Sequence, residues 1–119
     1  MVKNTETPAK KLALEAAKLA AERHSENIVV LDLKGISPVA DYFLIATGTS
    51  DQQMRSTCNE ISELAESFGF ELFGRAGYEH GRWILLDFVD VVVHFFDEEY
   101  REYYDLEMLW GDAKRLNIE

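Results

Sequence analysis

The chain has 119 residues, of which 47% are hydrophobic and 12% aromatic, and it carries a formal net charge of −10 at pH 7. These values exclude a disordered chain and predict one domain over residues 1–119 that can bury a core without disulfides or metal. The acidic surplus disfavours direct wrapping of DNA or RNA, which needs lysine and arginine against phosphate, and it fits a basic protein partner better.

The cysteine content and the distribution of apolar residues indicate where the protein acts. Cys58 is the only cysteine, so neither an intrachain disulfide nor a multi-cysteine zinc site is expected. The N-terminus has no apolar signal-like segment, and no run approaches the roughly 18 apolar residues of a spanning helix. We therefore expect a soluble, cytoplasmic protein that does not enter a membrane.

Two helices are predicted in the first half of the chain. The dipeptide Thr7-Pro8 is a typical helix start, and helical apolar spacing continues to about His24. A second helix is predicted to start at Ser50, because Ser50 and Gln53 have the spacing of a capping box. Gly69 favours a left-handed residue just beyond its end. The apolar stripe of this helix consists of Met54, Cys58, Ile61, Ala65 and Phe68, which predicts a packing role for the cysteine.

Five strands are predicted around these helices. Apolar runs predict strands over residues 27–34 and 41–50, and a short strand is predicted over 70–73. A glycine-rich loop over 74–81 then leads into a β-hairpin over 83–96, which contributes the last two strands.

The two faces of this hairpin differ in chemistry. If Asp87 lies opposite Asp90 at the turn, Trp83 pairs with His94 and alternate residues share a face. One face is wholly apolar and is predicted to be core: Ile84, Leu86, Phe88, Val91, Val93 and Phe95. The other mixes apolar and ionisable groups and is predicted to bind a partner: Trp83, Leu85, Asp87, Asp90, Val92 and His94.

A last helix completes the predicted fold. Carboxylates at residues 97–99 suit a helix N-terminus, and the pattern predicts a helix that continues to Lys114 and Arg115. Its aromatic residues are expected mostly to join the core, with Tyr104 or Trp110 reaching an interface. The order α-β-β-α-β-β-β-α predicts an α/β fold with a mixed sheet of about five strands flanked by helices.

Motifs for catalysis, cofactors or metals are missing. The loop 48–50 precedes a helix, where phosphate can bind, but it lacks lysine and both glycine-rich phosphate fingerprints. No strand carries the alternating carboxylates that a nucleotidyltransferase needs to hold metal ions. Asp90 and His94 are four strand positions apart, about 13 Å, which is too far to share one ion. We predict no enzyme, cofactor or metal site, and a nucleotidyltransferase-like enzyme remains the alternative.

Three segments of the chain resemble the ribosomal silencing factor family, also called Iojap-like proteins. They are D-Y-F-L-I-A-T-G-T-S-D-Q-Q from Asp41, W-I-L-L-D-F-V-D-V-V-V-H-F-F from Trp83 and Y-R-E-Y-Y-D-L-E-M-L-W-G-D-A from Tyr100. The resemblance extends from about Leu12 to Ala113. It implies a nucleotidyltransferase-like α/β fold without transferase activity.

The resemblance implies binding rather than catalysis. Members of the family dock on protein fourteen of the large ribosomal subunit, block joining of the small subunit and lower translation, notably in nutrient-poor cells. The docking tryptophan of the family falls on Trp83. The family pattern D-x-x-D-V-x-V-H matches Asp87, Asp90, Val91, Val93 and His94.

Two departures and one alternative accompany this resemblance. The chain has Ala76-Gly77 where the family usually has Glu-Gly, and it has Val89-Asp90 at the hairpin turn in place of Gly-Asp. Valine resists the positive φ that such turns require, so the turn geometry is expected to change. The alternative is a self-associating scaffold, a homodimer that pairs through the face around Trp83.

Overall fold

The computed structural model describes residues 7–118 and has an α/β architecture. Its elements are α1 (Pro8–Glu22), β1 (Glu26–Asp32), β2 (Tyr42–Thr47), α2 (Asp51–Ser67), β3 (Gly74–Ala76), β4 (Trp83–Asp87), β5 (Val91–Phe96), α3 (Glu98–Tyr104), α4 (Leu106–Leu109) and β6 (Lys114–Arg115). In this part of the chain, no helix is long and apolar enough to cross a membrane.

One mixed sheet organises the fold, with the strand order β3-β4-β5-β2-β1-β6. Strands β2 and β5 are parallel, and the other neighbouring strands are antiparallel. Helices α1 and α2 pack on one face of the sheet and enclose the larger core. A smaller apolar cluster on the second face includes residues of α3, α4 and the segment after them. The predicted α/β fold with a mixed sheet and flanking helices is confirmed, and the sheet has a sixth strand.

The ends of the first two helices follow the predicted capping chemistry. Thr7 Oγ1 accepts a hydrogen bond from the Lys10 amide at 3.1 Å, and Ser50 Oγ accepts one from the Gln53 amide at 3.0 Å. At the end of α2, Gly69 takes a φ of 86°. These bonds join residues three apart, so the local sequence is sufficient to specify them.

The hairpin keeps its predicted faces but not its predicted register. Leu85 lies opposite His94, and Trp83 lies opposite Phe96, two positions from the expected pairing. The pairing of Asp87 with Asp90 is wrong because Phe88 is buried, so the turn begins one residue later. A shift of two residues preserves the alternation of side chains, and every residue of the predicted core face is at most 2% exposed.

The third strand lies further along the chain than predicted. Residues 70–73 are irregular, and β3 starts at Gly74 inside the predicted loop. The chain must first turn back from α2, where the Phe70 amide donates to the Ala65 carbonyl. It reaches the sheet edge only at Phe73, whose amide donates to the Asp87 carbonyl at 2.7 Å. The apolar run at 70–73 marks this return and not a strand.

The last helix is shorter than predicted. Helix α3 ends at Tyr104, and Asp105 takes a left-handed φ of 40° before the short helix α4. Lys114 and Arg115 do not end a helix; they form β6, which pairs with β1. The prediction of one continuous helix to residue 115 is wrong because Arg101 pairs with Glu107 across the break and also bonds Thr47 of β2, which bends this segment back onto the sheet.

Candidate functional site

The predicted site residues form a strip along the hairpin. Trp83, Leu85 and Asp87 alternate along β4, and Val92 and His94 are on β5. Trp83 and Asp87 are four strand positions apart, about 13 Å, and the exposed Asp90 lies beyond them in the turn. We call these six residues the hairpin strip: Trp83, Leu85, Asp87, Asp90, Val92 and His94. It lies on the sheet face away from α1 and α2, and it is a surface rather than a pocket.

Aromatic packing fixes the Trp83 end of the strip. The half-buried indole lies 4.8 Å from the Phe96 ring and 4.7 Å from the Tyr104 ring, measured between centroids. Its Nε1–H donates to His94 Nδ1 at 3.2 Å. Phe43 contacts the other side of the imidazole edge-on, with 4.7 Å between centroids. Trp83 is therefore held in one orientation by the fold itself.

His94 lies beneath the Trp83 indole, on the side away from solvent, and supports this end of the strip. It is only 5% exposed, and burial lowers its pKa to about 4, so the imidazole is neutral at pH 7. Because Nδ1 accepts the indole hydrogen bond, the proton of the neutral ring is on Nε2. That nitrogen is buried and has no hydrogen-bond partner within residues 7–118. His94 is therefore too buried for the partner contact predicted from the sequence, and its role in the strip is to position Trp83.

The turn end of the strip is polar and firmly held. The Asp87 carboxylate accepts the Val89 amide at 2.8 Å, so it shapes the turn. The Asp90 carbonyl accepts the amides of Asp41 and Tyr42 at 2.9 and 3.1 Å, which ties the turn to the start of β2. Between the two ends, Leu85 is half-buried and belongs to neither apolar cluster. Val92 beside it is 7% exposed.

The segment containing α3 and α4 adds an apolar surface that sequence reasoning did not recognise. Neither helix contains a fully buried residue. Tyr100 and Trp110 pack partly buried against the smaller cluster, as expected, whereas Tyr103 and Tyr104 are exposed. Tyr104 is 41% exposed and packs against Trp83 with its ring tilted, which places it beside the strip. Trp110 instead lies edge-on to Phe43, 6.0 Å away. The most exposed large apolar side chains of this segment, each more than 70% exposed, are Tyr103, Met108 and Leu109.

The ion pair that bends this segment is largely buried. Arg101 donates to both oxygens of the Glu107 carboxylate at 3.1 and 3.0 Å, and to Thr47 Oγ1 at 2.9 Å. These bonds lower the pKa of Glu107. Arg101 and Glu107 are only six residues apart in the chain but belong to different helices, so helical spacing does not reveal the pair.

The loop 48–50 borders a cavity of about 410 Å³. Four carboxylates line this cavity: Glu26, Asp51, Asp97 and Glu98. The Thr49 amide donates to Gln53 Oε1 at 3.1 Å, and Ser50 caps the helix, so these groups are already used. The Arg82 guanidinium is paired with the Asp97 carboxylate at 2.6 Å. An acidic lining with occupied donors disfavours phosphate, and no group of metal-ligating residues occurs within residues 7–118.

Comparison with known proteins identifies the family. The family described as ribosomal silencing factor during starvation matches residues 6–119. The chain belongs to the ribosomal silencing factor family. The factor named as such from Halalkalibacterium halodurans is 44% identical over 98 residues, 82% of this chain and 84% of that protein. The one from Bacillus subtilis is 43% identical over 104 residues, 87% of this chain and 88% of that protein.

Solved structures similar to this ribosomal silencing factor support the fold. A crystal structure of a Chromobacterium violaceum protein superposes with a TM-score of 0.77 at 34% identity, over 87% of this chain and 83% of that one. A Bacillus halodurans protein gives a TM-score of 0.73 at 38% identity, over 90% and 94%. The resemblance found in the sequence is confirmed, and the family is one of regulatory proteins rather than enzymes. The nucleotidyltransferase-like character of the fold stays a prediction.

Proposed function

We propose that this silencing factor binds the large ribosomal subunit through its basic protein fourteen and sterically blocks joining of the small subunit. The observation that carries the proposal is the hairpin strip, which combines a fixed, half-exposed tryptophan with carboxylates on the sheet face away from α1 and α2. Membership of the family of ribosomal silencing factors supports the same partner. The protein would then act in the cytoplasm, without a cofactor.

The two ends of the strip suit two steps of docking. Trp83 and Leu85 offer apolar surface that a partner can desolvate, which is the usual composition of an interface centre. The acidic turn and the net charge of −10 attract a basic protein and speed the encounter. A protein that blocks subunit joining by occupying the contact surface of the large subunit needs no catalytic group, and the sequence of this chain contains no catalytic motif.

Leu85→Ser is the sharpest test of the proposed docking surface. The sequence alone favours Trp83→Ala, but Trp83 also packs on Phe96 and binds His94, so its removal disturbs the fold. Leu85 belongs to neither apolar cluster, and we expect its replacement to weaken binding to large subunits at least tenfold with little loss of stability. Sedimentation with purified subunits measures binding, and light scattering on mixing both subunits measures joining.

Leu72→Ser is the matched control. Leu72 is 39% exposed and lies beside Glu63 and Glu66 on the α2 side of the sheet, whereas the strip lies on the other side. It should bind and inhibit like the wild type. Equal affinity of the Leu85 and Leu72 variants would contradict the site, and a wild-type protein that stays at the top of the gradient would contradict the function. The self-associating scaffold would be favoured if the wild-type protein does not bind subunits but forms a dimer, and if Leu85→Ser dissociates that dimer.

A further inference from the structure

The hairpin turn contains a backbone conformation that its residue type disfavours. Val89 has a φ of 74°, in the left-handed region where a β-branched side chain is a rare outlier. The other non-glycine residues with positive φ within residues 7–118 are His24, Asn27 and Asp105. Histidine, asparagine and aspartate adopt positive φ more readily than valine, so the backbone strain is greater at Val89 than at these three residues.

The fold does not recover this cost by burying the valine. Its side chain is 52% exposed and belongs to neither apolar cluster. Neighbouring groups hold the strained backbone in place: the Asp87 carboxylate accepts the Val89 amide, and the Asp90 amide donates to the Phe88 carbonyl at 3.0 Å. The turn therefore presents two methyl groups to solvent in a fixed orientation.

The surroundings of the turn indicate what these methyl groups meet. The loop between β1 and β2 lies at the same end of the sheet and carries Val39, which is 76% exposed. The exposed Asp90 and the partly exposed Asp41 lie beside this apolar surface. A partner that fits has an apolar patch bordered by basic side chains.

We propose that Val89 is a direct contact residue and extends the docking surface beyond the hairpin strip to the tip of the turn. The inference rests on the proposed function, and the occupant is the same basic protein surface of the large subunit. Glycine at this position would relieve the strain but offer no side chain to the partner. Valine lowers the stability of the free protein, and this cost is offset only when its methyl groups are buried against the partner.

Two substitutions separate the contact from the strain. Val89→Gly relieves the backbone, so we expect a higher midpoint of urea unfolding together with a Kd for purified large subunits that is about tenfold weaker. Val89→Thr keeps the β-branch and the strain but replaces one methyl by a hydroxyl, so we expect an unchanged midpoint and a Kd several-fold weaker. Ala21→Ser, at an exposed position of α1, should keep the wild-type Kd.

The outcomes distinguish this inference from the function on which it rests. Wild-type affinity in both Val89 variants would overturn the contact and leave the proposed function standing. Weak binding by Val89→Gly alone would also overturn it, because turn flexibility would then be the cause. A lower unfolding midpoint for Val89→Gly would show that Val89 does not strain the free protein, and this would also overturn the inference. Failure of the wild-type protein to bind large subunits would remove both the function and the contact.

Discussion

At the scale of single residues, His94 shows how a buried group supports an exposed one. Its Nδ1 accepts the Trp83 indole hydrogen bond, Phe43 packs edge-on against its ring, and the Phe96 ring lies 6.2 Å away. A charged imidazole could not accept that bond, because both of its nitrogens would be donors. Neutral His94 and a correctly oriented Trp83 are therefore parts of one arrangement.

Acidification should destabilise the protein through His94. Its pKa is about 4 in the folded chain and 6.5 in the unfolded chain, so the unfolded state binds more protons between these values. The stabilisation is complete above pH 6.5 and is lost as the pH falls toward 4. We expect a loss of about 2 kcal/mol in unfolding free energy between pH 7.5 and pH 5 from this group. Urea unfolding at both pH values measures it.

His94→Phe is the control for this pH dependence. The variant keeps every carboxylate of the chain, so their titration contributes equally to both proteins. Its unfolding free energy should fall by about 2 kcal/mol less than that of the wild type over the same pH range. Equal losses in the two proteins would mean that His94 does not titrate on unfolding.

At the scale of secondary-structure elements, the Arg101–Glu107 pair decides where the end of the chain lies. The bonds from Arg101 reach across the break between α3 and α4 and to the end of β2. This arrangement places Tyr104 against Trp83 and brings residues 114–115 to the sheet edge as β6. One buried arginine therefore shapes both the border of the docking surface and the last strand.

Arg101→Lys should loosen this segment, because a lysine ammonium cannot form the two parallel bonds to Glu107 together with the bond to Thr47. The side chains of the pair are only 11% and 19% exposed. We expect a loss of about 2 kcal/mol in unfolding free energy and faster amide exchange over residues 98–115. Urea unfolding and hydrogen exchange are the measurements.

Arg23→Lys provides the matched comparison. Arg23 also binds both oxygens of a glutamate, Glu60, but these side chains are 45% and 35% exposed. Solvent screening should make the loss there clearly smaller than that for Arg101→Lys. A loss for Arg101→Lys as small as that for Arg23→Lys would show that the Arg101–Glu107 pair does not hold residues 98–115 in place.

At the scale of the whole molecule, the net charge and the uneven covering of the sheet act together. Two long helices cover one face, and a short segment without buried residues covers part of the other, which leaves the hairpin strip accessible. The charge of −10 gives the molecule a field that attracts basic partners at long range. The orientation in which the protein docks then depends on where its surface carboxylates lie relative to the hairpin strip.

The double variant Asp87→Asn and Asp90→Asn should slow association with large subunits about threefold at low salt and flatten its salt dependence. Asparagine keeps the oxygen that accepts the Val89 amide, so the turn should persist. Stopped-flow mixing at several ionic strengths measures the rate. Glu63→Gln with Glu66→Gln on α2 changes the net charge equally at a remote surface, and an effect as large as that of the hairpin variant would argue against local steering.

The sequence by itself determined the features that depend on near neighbours and on alternation. The caps at Thr7 and Ser50 and the left-handed Gly69 need only bonds between residues a few positions apart. The two hairpin faces survive the error in register, because a shift of two residues leaves each side chain on its own face. The alternation of side chains along β4 and β5 is therefore sufficient to assign each hairpin residue to its face, but it does not show that His94 and Val92 are buried on that face.

Only the tertiary structure decided how these elements pair and what they leave uncovered. The register depends on the burial of Phe88, the start of β3 on where the chain regains the sheet edge, and the end of α3 on Arg101. The burial of His94 likewise arises from groups on neighbouring strands. Contacts between different helices and strands set these features, and local patterns contain no record of them.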